Sequence, residues 1–188
     1  MKLAALIKNS LILGLGVGMP AMPGLATSWT EIDECNYTIS SPGKYKLAHD
    51  LDCSDLAFPV GIRIVNTHDV KLHLKGYMLK GRPQATYGGR GTGIFVLQSQ
   101  GVEIDGSGHQ SRLRNWGQAI SIAGSEDVKV DGDLMLLQQN STGLFVGTST
   151  RVEFKQLRFL DNYQRDFHAD RSQDLTLKSS FFKGGAIQ

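Results

Sequence analysis

The sequence predicts an all-β fold, a solenoid in which short parallel strands stack coil upon coil. Three observations predict it: glycine is enriched, one apolar pattern recurs with a fixed internal spacing, and a hydroxyl residue recurs at the same point of each repeat. The 22 glycines among 188 residues make up roughly 12%, against a usual ~7%, which indicates a chain that turns often. The length and the 40% apolar content suit one soluble domain.

Five segments share one template, in which apolar residues stand at positions i and i+2 and again at i+8 and i+10. They are Ile62/Ile64 with Val70/Leu72, Ile94/Val96 with Val102/Ile104, Ile120/Ile122 with Val128/Val130, Leu144/Val146 with Val152/Phe154, and Phe167/Ala169 with Leu175/Leu177. Alternation with a period of two predicts strands and excludes amphipathic helices. A third apolar cluster follows in most units, at 77–79, 134–136, 157–159 and 181–182. Three strands and about 23 residues per coil predict a solenoid of about six coils.

The predicted turns carry a second repeat. A hydroxyl residue stands three positions before the first apolar residue of each second strand, at Thr67, Ser99, Ser125, Ser149 and Ser172. Asparagine closes three units, at Asn115, Asn140 and Asn162. At the ~4.8 Å spacing of parallel strands these side chains would stack, and they would satisfy turn backbone groups or one another. We interpret both rows as structural.

Residues 1–26 have the pattern of a secretory signal. Lys2 and Lys8 provide a positive start, 11–19 is apolar but too short to span a bilayer, and 24–26 is a small-x-small cleavage site. The alternative is a buried N-terminal helix, which the glycines and prolines of the segment disfavour. Removing the two lysines takes the formal charge of +2 to near zero, so neither nucleic acid nor polyanions in general are indicated as partners. We expect an exported protein, periplasmic or secreted, with no membrane span.

Cys35 and Cys53 are the only cysteines, and an oxidising compartment favours their pairing. Such a bridge would stabilise the fold by about 3 kcal/mol on the chain-entropy model. A catalytic or metal-binding thiol is the weaker alternative, because no CxxC motif or histidine cluster accompanies them. We expect one domain, 27–188, with an N-terminal coil at 35–60 closed by the disulfide and repeat coils at 61–188.

Several phrases of the sequence carry a family resemblance. CNYTI at 35–39, SPGKYKL at 41–47, DLDC at 50–53 and DVKLHLKG at 69–76 resemble the right-handed parallel β-helix, pectate-lyase-like superfamily of secreted proteins. The resemblance covers roughly 35–188 and implies a right-handed coil. It implies no single activity, because the superfamily contains lyases, hydrolases, epimerases and adhesins.

The outward residues of the first strands form an unusually apolar face. If the template residues point inward, then Arg63, Phe95, Phe145 and His168 point outward. Phe95 and Phe145 are candidate platforms for sugar rings, with Arg63 beside them, or part of a contact surface for another protein. A flanking loop that covers them is the alternative.

The outward residues of the second strands alternate in charge. They are Lys71, Glu103, Lys129, Glu153 and Thr176. Opposite charges would be neighbours in the stack, so we interpret this face as a device that fixes the register of the coils.

An insertion of about 80–92 separates the first two full coils. It leaves a third strand and enters a first strand, so we expect it to overhang the first sheet. The family resemblance implies a loop that walls a binding groove, in which Arg82 and Arg90 would meet the carboxylates of an acidic polysaccharide. A solvated surface excursion is the alternative.

The segment Tyr163–Asp170 carries the candidate chemistry. Its Tyr-x-x-Asp-x-His pattern is similar to the catalytic segment of mannuronan C5-epimerases and related alginate lyases. That resemblance implies an acid/base pair of Tyr163 and His168, with Asp166 orienting His168 and Arg165 neutralising the uronate. We expect Asp166 and His168 to project from the same outward face. A cation held by Asp166, His168 and Asp170 is a weaker interpretation, so no metal or cofactor is expected.

The sequence at 185–188 matches the opening of the first strand at 118–121, with no evident C-terminal cap. We expect either a shortened copy of a longer protein or an end that docks onto a partner. The leading functional hypothesis is a carbohydrate-associated protein that recognises a polysaccharide across the first sheet. The alternatives are a uronate lyase or C5-epimerase, and a structural or interaction module. An ice-binding function is disfavoured because no outward face carries a threonine array.

Overall fold

A computed structural model describes residues 28–84, 88–108, 110–183 and 186–187. The predicted leader, 1–26, lies outside these ranges. The described chain contains twenty strands and no helix. The first ten are β1 (Trp29–Ile32), β2 (Tyr37–Ile39), β3 (Gly43–Leu47), β4 (Leu51–Asp52), β5 (Val60–Val65), β6 (His68–His73), β7 (Met78–Lys80), β8 (Arg82–Gln84), β9 (Gly88–Arg90) and β10 (Thr92–Leu97). The others are β11 (Gln100–Asp105), β12 (Arg112–Arg114), β13 (Gln118–Ala123), β14 (Glu126–Gln138), β15 (Thr142–Gly147), β16 (Thr150–Leu160), β17 (Arg165–Asp170), β18 (Gln173–Lys178), β19 (Phe181–Lys183) and β20 (Ala186–Ile187).

The strands stack into a parallel β-solenoid of about six turns, as the repeat predicts. The first strands of the coils form a seven-stranded sheet in the order β2-β5-β10-β13-β15-β17-β20, which we call the first sheet. The second and third strands form an eleven-stranded sheet, and its two halves are called here the second-strand face and the third-strand face. The prediction of separate second and third strands is wrong for β14 and β16, each of which runs through both halves. The bend inside β14 is a register shift between Asp131 and Met135, and the one in β16 falls at Gln156, whose φ is +52°.

The apolar template defines the core. All sixteen residues that the first four segments place inward are at most 2% exposed. In the fifth segment Phe167 and Leu175 are only partly buried. The sequence did not indicate strand β12, whose single inward residue, Leu113, is fully buried between two arginines. It also did not indicate the fully buried Trp116, whose indole N–H donates to the Leu79 carbonyl at 3.0 Å.

The row of hydroxyl residues is confirmed as a hydrogen-bonded ladder. The backbone N–H groups of Ser99, Ser125 and Ser149 each donate to the Oγ of the next serine in the row, at 3.1–3.2 Å. Each of the four serine hydroxyls donates in turn to the carbonyl two residues before it. The ladder therefore satisfies buried backbone groups at the corners of the four serines, whereas the buried hydroxyl of Thr67, the first member of the predicted row, has no hydrogen-bond partner in the described structure.

The predicted disulfide joins Cys35 and Cys53, with 5.8 Å between their Cα atoms. Strand β1 precedes this coil and was not predicted. It pairs in parallel with β3 at the edge of the second-strand face, and its Ile32 is fully buried. This coil therefore covers one end of the apolar core.

The alternating charges of the second-strand face stack in the predicted register. Lys71 pairs with Glu103, which pairs with Lys129, which pairs with Glu153. The Lys71 ammonium lies 3.1 Å from the Glu103 carboxylate. The native register places opposite charges side by side in this row, so these four charges support it.

Candidate functional site

The outward face of the first sheet carries one continuous row of the predicted residues. Strand pairing places Arg63 beside Phe95, Phe95 beside Ser121, Ser121 beside Phe145, and Phe145 beside His168. We call these five residues the aromatic row. Neighbouring members are one strand apart, so Phe95 and Phe145 lie about 10 Å from each other across the sheet.

The rings of this row pack along the sheet. The Phe145 ring lies over Gly147, where an added Cβ would come within 3.0 Å of its Cε1 atom. The His168 ring packs on Phe145, with 5.5 Å between centroids and 35° between planes. Ser121 lies in the row between the two phenylalanines and is only 3% exposed. The result is a half-buried aromatic surface of low relief.

Charge on this face is confined to its ends. The second outward row of the first sheet is Val65, Leu97, Ala123, Gly147 and Asp170. Arg63 lies at one end of the aromatic row, and its guanidinium donates to the Asn36 carbonyl at 3.4 Å. His168 and Asp170 lie at the other end. A polymer laid across the middle strands would therefore meet aromatic and small apolar groups.

The structure separates the residues of the predicted catalytic segment. Tyr163 is 55% exposed and His168 is half-buried on the outward face. Asp166 is fully buried, and its carboxylate accepts a hydrogen bond from the Asn162 amide at 2.8 Å. The prediction that Asp166 and His168 project from one outward face is wrong.

The position of Asp166 is buried in the four preceding coils as well, where Gly61, Gly93, Ala119 and Gly143 occupy it. Its partner in the preceding coil is Gly143, where an added Cβ would lie 2.7 Å from the Phe159 ring and 3.1 Å from the Asn162 amide. A side chain at this strand position therefore points towards the buried Phe159 and Asn162, although the alternation of inward and outward residues along the strand would place it outward. Asp166 lies at the buried corner that contains Asn162, and not on the surface that carries His168.

The predicted arginines lie at the border of the first sheet. Arg165 begins β17, where it is half-buried. Arg82 and Arg90 are exposed cross-strand partners in an antiparallel hairpin formed by β8 and β9. The insertion is thus a hairpin. Its base packs on the next coil, because an added Cβ at Gly81 would lie 2.6 Å from the Asn115 carbonyl oxygen.

Sequence reasoning missed a cluster of basic residues on the third-strand face. Its outward rows contain five cations, and two exposed carboxylates lie at one end: Asp52, 2.6 Å from the Lys80 ammonium, and Asp50, which accepts the backbone N–H of Met78. The cations are Lys80, Arg112, Arg114, Arg158 and Lys183. The signal was present as basic residues beside the inward apolar residue of four of the five third strands from β7 to β19, but the overall charge near zero obscured it.

Acidic side chains concentrate elsewhere, at the corner between the first and second strands. Arg151 contacts both Glu126 and Asp127 there. Hydrogen bonding to this guanidinium lowers the pKa of Asp127 below its ordinary value. The near-neutral chain therefore has separate acidic and basic regions.

Comparison of the chain with protein-family models, with curated proteins and with solved structures gives no match. Within the described residues, no group of three or more His, Cys, Asp or Glu side chains is arranged to hold a metal ion. Nor does that part of the chain contain a helix with the length and apolar character needed to cross a membrane.

Proposed function

We propose that this chain is a carbohydrate-associated protein that binds a polysaccharide along the aromatic row of the first sheet. The observation that carries the proposal is that Phe95 and Phe145 lie in one outward row with the small Ser121 between them. Aromatic faces offer the apolar side of a sugar ring a flat contact of large area. The low charge of the middle strands keeps that contact from being interrupted by hydrated groups.

The proposal includes export and a fold relationship. We propose that 1–26 is a cleaved signal, that 27–188 is the exported domain, and that the solenoid is right-handed and pectate-lyase-like. The Cys35–Cys53 bridge is weakly consistent with an extracellular location, because disulfides persist in oxidising compartments. Right-handed crossover is also the general rule for parallel strands joined within one sheet.

We propose that the polysaccharide is acidic. Arg63 lies in the aromatic row, Arg165 lies at the border of the sheet, and the hairpin presents Arg82 and Arg90 side by side. Guanidinium groups bind carboxylates through paired, charge-assisted hydrogen bonds. Such contacts at the margins would fix the direction of a polymer that the rings hold at the centre.

Affinity electrophoresis tests the proposal. The mature protein would be run through gels containing polygalacturonate, alginate or a neutral β-glucan, and compared with Phe145→Ala. We expect retardation by at least one acidic polymer and about tenfold weaker binding of the variant, since a buried aromatic contact contributes ~1 kcal/mol or more. Leu134→Ala, which removes an exposed apolar side chain outside the first sheet, is the matched control and should bind normally. Folded protein that binds none of the polymers would overturn the proposal and favour an interaction module.

Uronate chemistry is the second candidate, and the position of His168 is what favours it. Its imidazole packs on Phe145, directly in the row proposed to hold the sugar. A lyase would remove the proton on C5, alpha to the uronate carboxylate, form a C4–C5 double bond, and expel the glycosidic oxygen on C4, which takes a proton from the acid; the unsaturated product absorbs ultraviolet light. An epimerase would instead return a proton to the opposite face of C5. In this second candidate function Tyr163 and His168 form the acid/base pair, and the buried Asp166 has a structural role through its hydrogen bond with Asn162. Absence of both product and proton exchange in protein that binds the polymer would remove this candidate.

A further inference from the structure

We propose that the third-strand face is a second binding surface, which takes a linear carboxylated polysaccharide lying along the solenoid axis. The proposal rests on the proposed function only in its choice of partner class, because the surface itself lies outside the first sheet. We call it the basic face, and it comprises the five cations together with the apolar residues between them.

Strand register alternates arginines with apolar residues in one of the two rows of this face. In one row Arg112 lies between Met78 and Leu136, and Arg158 lies between Leu136 and Phe181. The second row contains Lys80, Arg114, Gln138, Leu160 and Lys183. From β7 to β19 the cations extend over four strand steps, or about 19 Å. A polymer parallel to the axis can contact all of them, whereas a small anion reaches one or two.

The arginines of the basic face lack counterions. Among the described residues, no carboxylate oxygen lies within 4.0 Å of Arg112, Arg114 or Arg158. The Nε atom of Arg114 is buried and has no hydrogen-bond partner in the described structure. One row of the second-strand face shows the opposite arrangement, since Lys71 and Lys129 alternate there with Glu103 and Glu153. These three arginines give the face a net positive charge, which a bound polyanion would neutralise.

The shape of the apolar residues favours a polysaccharide over a lipid surface. Leu136 is half-buried between Arg112 and Arg158, and Leu160 is half-buried between Gln138 and Lys183. Phe181 is the one mostly exposed apolar side chain among the described residues of this face. Interfacial binding to a membrane requires apolar side chains that reach the acyl boundary. Half-buried side chains instead offer shallow contacts to sugar rings, while the guanidiniums bind the carboxylates.

Isothermal titration with an oligogalacturonate of ten or more units tests this inference. We expect Arg112→Gln/Arg158→Gln to weaken binding about tenfold and the wild-type affinity to fall steeply with added salt, as expected for a multi-point ionic contact. Lys129→Gln/Lys155→Gln removes the same charge from the second-strand face and should change the affinity less than about twofold. Thermal unfolding monitored by circular dichroism shows that each variant is folded. An equal loss in both double variants, or a loss in neither, overturns the inference.

Two further arms separate this inference from the proposed function. If Phe145→Ala abolishes oligogalacturonate binding and the arginine variant does not, the first-sheet site stands and the basic face is wrong. If only the arginine variant loses binding, the basic face stands and the first-sheet site is wrong. Binding to phosphatidylserine vesicles without binding to oligogalacturonate would overturn the polysaccharide assignment in favour of an anionic lipid surface.

Discussion

The side-chain amide of Asn140 donates a hydrogen bond to Oδ1 of Asn162, one coil further along the solenoid, at 3.1 Å. The same Oδ1 accepts the backbone N–H of Asn140, and the Asn140 Oδ1 accepts the backbone N–H of Trp116 at 3.0 Å. Both asparagines are buried. Each one thus closes the preceding coil at a corner that water does not reach.

Asn140→Ala should lower the free energy of unfolding by about 3 kcal/mol, because it leaves the Trp116 N–H and the Leu113 carbonyl without their buried partner. Chemical denaturation followed by circular dichroism measures the change. Gln173→Ala, at an exposed corner position, is the control and should change stability by less than about 0.5 kcal/mol. A loss below about 1 kcal/mol for Asn140→Ala would contradict the role assigned to the corner.

The serine ladder gives an independent prediction. Ser149 accepts the backbone N–H of Ser125 at 3.2 Å and donates to the Gly147 carbonyl at 2.9 Å. Ser149→Ala should therefore cost about 1–3 kcal/mol of unfolding free energy. Ser40→Ala, at an exposed position, should cost almost nothing. Equal effects of the two substitutions would show that the ladder does not stabilise the coil.

The parts of the fold that follow from alternation were predictable from the sequence. Burial repeats with a period of two, so residues such as Ile120 and Leu144 could be assigned inward, and their register followed. Asp166 was wrongly assigned by alternation, because its strand position is buried in the four preceding coils; the only signal was the small residue there, Gly61, Gly93, Ala119 or Gly143. The basic face was missed because β12 has only one inward residue, Leu113, and a single leucine between arginines carries no periodic signal.

The Asp52–Lys80 pair gives a prediction about pH. The Lys80 ammonium, with help from Ser54, lowers the pKa of Asp52 from 3.8 to about 2. Since the folded-state pKa is depressed, the pair stabilises the fold above pH 4, and this contribution is lost as pH falls from about 4 towards 2. Carbon-detected NMR titration of Asp52 should give the low value in the wild type and an ordinary one in Lys80→Met.

The stability effect of this pair should be small. Asp52 is 53% exposed in its side chain, so solvent screens the interaction and the expected contribution is about 0.2–1 kcal/mol. Stability measured at pH 6 and pH 2.5 should fall slightly less with acidification in Lys80→Met than in the wild type. A greater fall in the variant would contradict the assignment.

The disulfide should contribute more to the free energy of unfolding than any exposed ion pair. Cys35→Ala/Cys53→Ala should lower the free energy of unfolding by about 3 kcal/mol, because the bridge closes an 18-residue separation at the covered end of the core. Chemical denaturation with and without reductant measures this loss of unfolding free energy. Reductant should leave the stability of the double variant unchanged. A change below about 1 kcal/mol would mean that this coil is held by its strand pairing alone.

The most direct test of the central claim is chemical-shift mapping of the isotope-labelled mature protein during titration with an acidic oligosaccharide. The account predicts saturable shifts of the backbone amides at Phe95, Ser121 and Phe145, accompanied by shifts of the aromatic ring protons of the two phenylalanines. Saturation of binding with these three positions unmoved would contradict it.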